Sequence, residues 1–173
     1  MDVAQNEWNG SVISRFAKAT RFGDVRVAMN AKQYMSEIVE PTIDDFANNP
    51  TSLRHAFLAC VVTFHTVDYL AAPKKSAQRR ENFRSLSPDF AAIDRIAHAF
   101  KHVQTGDCRS QHIPPLAADQ ITERPPAIFG RAVWGVSRWG DSKGGVTIKH
   151  EYDFDLLDTL KKVAEFLRTQ IAL

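Results

Sequence analysis

Arg95, His98 and His102 fall within about 60° of one another on a helical projection of residues 88–104. Arg95 to His98 is a three-residue step and His98 to His102 a four-residue step, so neighbours on the stripe can touch. A guanidinium can hold a phosphate through two parallel hydrogen bonds, and an imidazole can move protons near neutral pH. Such a stripe can serve a scissile phosphate, hold a metal, or simply face water. Lys101 adds a further positive charge beside it.

A second constellation is metal-like. His98-x3-His102 has the i, i+4 spacing of helical metal ligands, and His65 with Asp68, one turn apart on an earlier helix, would complete a set of three imidazoles and a carboxylate. The competing account of His65 and Asp68 is a buried polar pair, each satisfying the other inside an apolar helix, and it is the favoured one. A third feature is the basic run Lys74, Lys75, Arg79, Arg80 and Arg84, interleaved with Phe83 and directly ahead of the stripe. It would suit a polyanion or an acidic protein, or act as a solvated linker between helices. Trp134 and Trp139 are open to two uses, an exposed recognition surface or anchors for a hairpin. No Gly-rich phosphate loop and no nucleophile elbow is present, and no cofactor is expected.

The stretch Arg95-Ile-Ala-His-Ala-Phe-Lys-His102 resembles the HEPN family of helical-bundle proteins, whose signature is an Arg followed several residues later by a His in a late bundle helix. Six residues separate the two here, the long end of the family's range, and Ile96 stands where members often carry a polar residue. The resemblance covers residues 24–104. It implies RNA binding or metal-independent RNA cleavage at a homodimer interface, with Arg95 holding the phosphate, His102 carrying the proton, and His98 and Lys101 in support. The competing classes are a non-enzymatic interaction module, such as half of a toxin–antitoxin or regulatory pair, and a metal-dependent bundle enzyme using His65, Asp68, His98 and His102.

The elements that must carry these residues follow from periodicity. The 173 residues fit one domain: an N-terminal segment 1–23, a helical bundle 24–104, a long loop 105–129, and a hairpin with a final helix over 130–173. A short amphipathic helix is expected over 11–22. Val27, Ala31, Tyr34, Met35 and Ile38 predict a helix that Pro41 ends or kinks. Asn49-Pro50 predicts a capped start for a strongly apolar central helix over 51–72, and Ser87-Pro88 the same for the stripe helix. Phe90, Ile93, Ile96, Ala97, Phe100 and Val103 form the apolar arc of the latter. Alternation at Ala132, Trp134, Val136 and again at Val146, Ile148, His150, Tyr152 predicts a β-hairpin, and Asp153 caps the last helix. Neither an internal repeat nor a low-complexity tract is expected. The expected class is mainly α, about four main helices bundled with one hairpin.

With 44% apolar and 24% charged residues and a net charge of +2, the chain has an ordinary globular composition and no global field for nucleic acid. Any polyanion site must be a local patch. Cys60 and Cys108 form no framework, and no apolar run reaches membrane-spanning length. The first ten residues carry neither a basic start nor an apolar stretch, so no signal peptide is expected and a reducing, cytoplasmic setting is the natural one.

Overall fold

The computed structural model describes residues 29–102, 115–151 and 153–172. The helix expected over 11–22, Val103, Cys108 and Tyr152 lie outside these residues. The class is mainly α with one antiparallel strand pair, as the periodicity implies.

The first helical rod begins as α1 (Ala31–Tyr34), capped by Asn30, passes through one π-helical stretch (Met35–Val39) and continues as α2 (Glu40–Asn48). Pro41 therefore does not end the helix. The π-helical stretch ends at Val39, two residues before Pro41, which has no N–H to donate and whose ring clashes with the preceding turn of a regular α-helix; a local widening of this kind accommodates it. The central helix α3 (Leu53–Ala71) starts later than expected: Asn49 closes α2, and Ser52 is the cap that accepts from the His55 N–H. The basic run divides: Lys74 and Lys75 lie in the exposed connection after α3, whereas Arg79, Arg80 and Arg84 belong to a further helix, α4 (Ala77–Leu86). Then α5 (Pro88–His102) opens as expected, with Ser87 Oγ accepting from the Phe90 N–H at 3.1 Å.

Helix α3 packs against α2, α5 and the final helix α6 (Leu156–Ala172), and α5 packs against α4 and α6. Small residues on α3, Ala56, Ala59 and Cys60, are fully buried and let its neighbours approach closely. Phe90, Ile93 and Ile96 of α5 meet Leu160, Val163 and Leu167 of α6 in one apolar cluster. The apolar composition of α3 predicts Phe57, Val61 and Phe64 in the core; Phe64 is buried there, whereas Phe57 and Val61 are only half-buried.

The strand pair differs from the expected hairpin. Strand β1 (Ile121–Arg124) comes from the segment assigned to the long loop, and it pairs antiparallel with β2 (Gly145–Ile148) in the register Ile121↔Ile148 to Arg124↔Gly145. All four β2 residues are buried, and the strand packs against α6. It stops at Ile148 because the next turn puts His150 at φ 71, a left-handed conformation no strand continues through. Residues 128–140, expected to supply the first strand, form successive tight turns instead. Asp155, rather than Asp153, caps α6 by accepting from the Asp158 N–H at 3.0 Å.

Candidate functional site at the junction of three helices

Asp94 is the residue around which the site is built, and its place on the apolar arc of α5 hides it among the core residues. It stands one turn after Phe90 and one turn before Ala97, and is 2% exposed. A carboxylate there must be paired. Arg84 of α4 donates its Nε–H to Asp94 Oδ2, and also reaches Glu81 at 3.1 Å. On the other side the His98 Nδ1–H donates to the Asp94 carbonyl oxygen at 2.8 Å, and Nδ1 lies 2.9 Å from Oδ1, within ion-pair distance when the ring is protonated.

This arrangement fixes the tautomer of neutral His98: Nδ1 carries the proton and Nε2 presents its lone pair. The Asp94 hydrogen bond raises the His98 pKa above its ordinary value, outweighing the burial that opposes it. Burial pushes Asp94 upward, yet the hydrogen bonds from His98 and Arg84 together hold it below the usual carboxylate range.

Phe64 links this dyad to a second one. Its ring meets His98 edge-on at 5.0 Å and His65 at 5.3 Å, and the Arg80 guanidinium lies over its face at 4.5 Å. His65 Nδ1 is 2.7 Å from Asp68 Oδ2, and Arg80 approaches Asp68 at 3.9 Å. The pair is hydrogen-bonded as expected. It is not buried, since the two side chains are 36% and 43% exposed.

The residues singled out from the sequence thus separate. Arg95 turns toward the lead-in of α6, with Nη1 3.8 Å from Glu151 Oε1 and its Nε buried without a partner. His102 is exposed one turn beyond His98, the ring centroids 6.0 Å apart, and Lys101 is exposed beside it. Of the five basic residues, Arg80 and Arg84 are drawn inward by Phe64, Asp68 and Asp94, while Lys74, Lys75 and Arg79 remain outward, Arg79 donating to the Leu70 carbonyl. They form no single five-residue patch. His65, Asp68, His98 and His102 do not converge either: no group of three or more His, Cys, Asp or Glu suited to a metal occurs among the described residues. Cys60 is buried, which raises its thiol pKa and leaves it unreactive.

A second polar centre was invisible in the sequence. Arg124, the last residue of β1, is 1% exposed and binds Asp155 at 2.6 Å, Asp141 at 3.0 Å and the Phe154 carbonyl at 3.3 Å. It ties both ends of the 125–144 connection to the start of α6. No helix among the described residues is long and apolar enough to cross a membrane. Comparison with protein-family models, curated proteins and solved structures finds no match to this chain.

Proposed function

We propose that this chain binds RNA and cleaves it without a metal, using the outward face of α5. One observation carries the reading: His98 and His102 stand 6.0 Å apart, and only His98 is anchored to a buried carboxylate. Two neighbouring imidazoles in different environments suit an acid and a base acting on opposite sides of one phosphate. His102 takes the proton from the RNA 2′-hydroxyl, whose oxygen attacks the adjacent phosphorus. The bond to the 5′-oxygen breaks, and protonated His98 delivers its Nε2 proton to that leaving oxygen. The products are a 2′,3′-cyclic phosphate and a free 5′-hydroxyl. Arg95 and Lys101 stabilise charge on the non-bridging oxygens.

The HEPN resemblance supports this reading and adds a homodimer, in which two α5 faces meet across a two-fold axis. A cytoplasmic setting is part of the same proposal. His98→Ala and His102→Ala are each expected to lower cleavage of a mixed RNA pool by about a hundredfold to ten-thousandfold. Activity should survive EDTA, and circular dichroism should show intact helices. Equal cleavage by wild type and both variants sinks the mechanism.

A second reading, a non-enzymatic interaction module, is favoured by one contact. Glu151 lies 3.8 Å from Arg95 and partly neutralises the guanidinium that a scissile phosphate would need. Absence of any cleavage by the wild type selects it.

A further inference from the structure

Contrary to the expectation of no internal repeat, residues 128–141 contain a short one: Phe129-Gly130, Trp134-Gly135 and Trp139-Gly140 recur every five residues. Each pair forms the corner of a turn. The carbonyls of Ile128, Val133 and Arg138 accept from the N–H groups of Arg131, Val136 and Asp141 at 3.0–3.1 Å. The three glycines have φ of 78°, 73° and 79°, the left-handed conformation this position of the turn requires. The ring at each corner faces solvent completely: Phe129 is 107%, Trp134 101% and Trp139 97% exposed. Three uncovered rings on one short segment exceed what an isolated surface residue explains.

The charges of the segment say what covers them. Arg131, Arg138 and Lys143 are exposed and have no carboxylate partner among the described residues, whereas Asp141 is occupied by Arg124 and by the N–H groups of Lys143 and Gly144. A second copy of this surface would set like charges against each other. At the foot of the segment, Arg138, Trp139, Lys143 and Lys161 line a cavity of about 410 Å³ together with Asp158 and with Asp141 and Asp155, the last two already paired with Arg124. That is the size of a small-ligand site, and a lipid surface has no use for such a recess.

We infer that residues 128–143 are a docking surface for single-stranded RNA. Bases stack on Phe129, Trp134 and Trp139, phosphates meet Arg131, Arg138 and Lys143, and the cavity beside Trp139 receives one nucleotide. The inference deepens the RNA reading above, because strand β2 joins this segment to the Ile148–Glu151 turn that touches Arg95.

The test is binding of a fluorescent twelve-nucleotide oligouridylate to the full chain carrying His98→Ala, which prevents cleavage from masking binding. The double variant Trp134→Ala/Trp139→Ala should weaken binding by about fivefold to a hundredfold per ring, and Trp→Phe at both positions should restore most of it. Replacing Arg131, Arg138 and Lys143 with Ala should flatten the dependence of log affinity on log salt by about 2, near 0.7 for each phosphate no longer neutralised. Unchanged affinity in the double variant overturns the inference whatever the cleavage assay shows. So does tryptophan burial on phosphatidylglycerol vesicles without any RNA binding, or a dimer in sedimentation that the double variant dissolves. RNA binding that needs the rings, in a protein that never cleaves, supports this inference while removing the cleavage mechanism.

Discussion

Arg124 Nη2 and Asp155 Oδ2 meet at 2.6 Å, so the end of β1 is fixed directly to the residue that caps α6. Both groups are largely shielded, and Asp141 completes the cluster from the far end of the connection. Removing the cation leaves two carboxylates facing each other. Arg124→Leu is expected to destabilise the protein by about 3–5 kcal/mol. Urea unfolding monitored by far-ultraviolet circular dichroism reads the loss, and an unchanged midpoint would show that the cluster contributes nothing.

The glycines of the connection divide into two kinds. A Cβ on Gly144, at φ 74°, would lie 2.5 Å from the Arg124 carbonyl oxygen and 2.9 Å from Thr51 Cγ2, whereas one on Gly130, at φ 78°, would meet nothing within 4 Å. Gly130→Ala therefore costs only the left-handed backbone, about 1 kcal/mol. Gly144→Ala costs that and the collision, about 3 kcal/mol or more. Equal midpoints for the two variants would contradict the packing at Gly144.

Stability should depend on pH through His98. Its pKa is raised in the folded protein by Asp94, so the contribution is complete below the unfolded value of about 6.5 and disappears as pH rises through the folded value. Asp94 is lowered, so its contribution is complete above about pH 3.9 and is lost as pH falls through its folded value. As pH rises from about 6.5 through the folded value, the wild type should lose stability that a His98→Gln variant does not. Parallel urea curves for the two proteins across that range would contradict the pairing.

Asp94→Asn separates the two roles of the carboxylate. The amide can still accept from His98, but it no longer favours the charged ring, so the imidazole should titrate at lower pH in a proton NMR titration. Arg84 keeps a polar neighbour but loses its buried counter-charge, at a cost of about 1–3 kcal/mol. If cleavage depends on protonated His98, the alkaline limb of its pH–rate profile moves down with the ring.

Local periodicity located the helices because each buries one regular stripe, as Phe90, Ile93 and Ala97 do on α5. It misplaced β1 because Ile121–Arg124 is too short to show alternation, and its partner lies about twenty residues further on. Arg95, His98 and His102 could be found as a polar stripe, but tertiary packing sets what surrounds them: Glu151, which faces Arg95, and Arg84, which holds the Asp94 beside His98, come from other elements. Asp94 left a readable trace, an acid within the apolar arc. The aromatic–glycine spacing of five was also present in plain letters, but it matches neither the helical nor the strand period. Arg124 left none, since nothing around it distinguishes a buried cation from an exposed one.

The self-contained turns of residues 128–140 make this part of the chain a cassette. Their backbone hydrogen bonds close within the segment, and the Ala127 N–H to Asp141 carbonyl bond of 2.6 Å draws its two ends together. The core contributes no strand or helix to it. Chain can therefore be added, deleted or exchanged between those two residues while the bundle keeps its shape. Transplanted onto another scaffold whose ends stand equally close, the same dozen residues should carry their three rings with them.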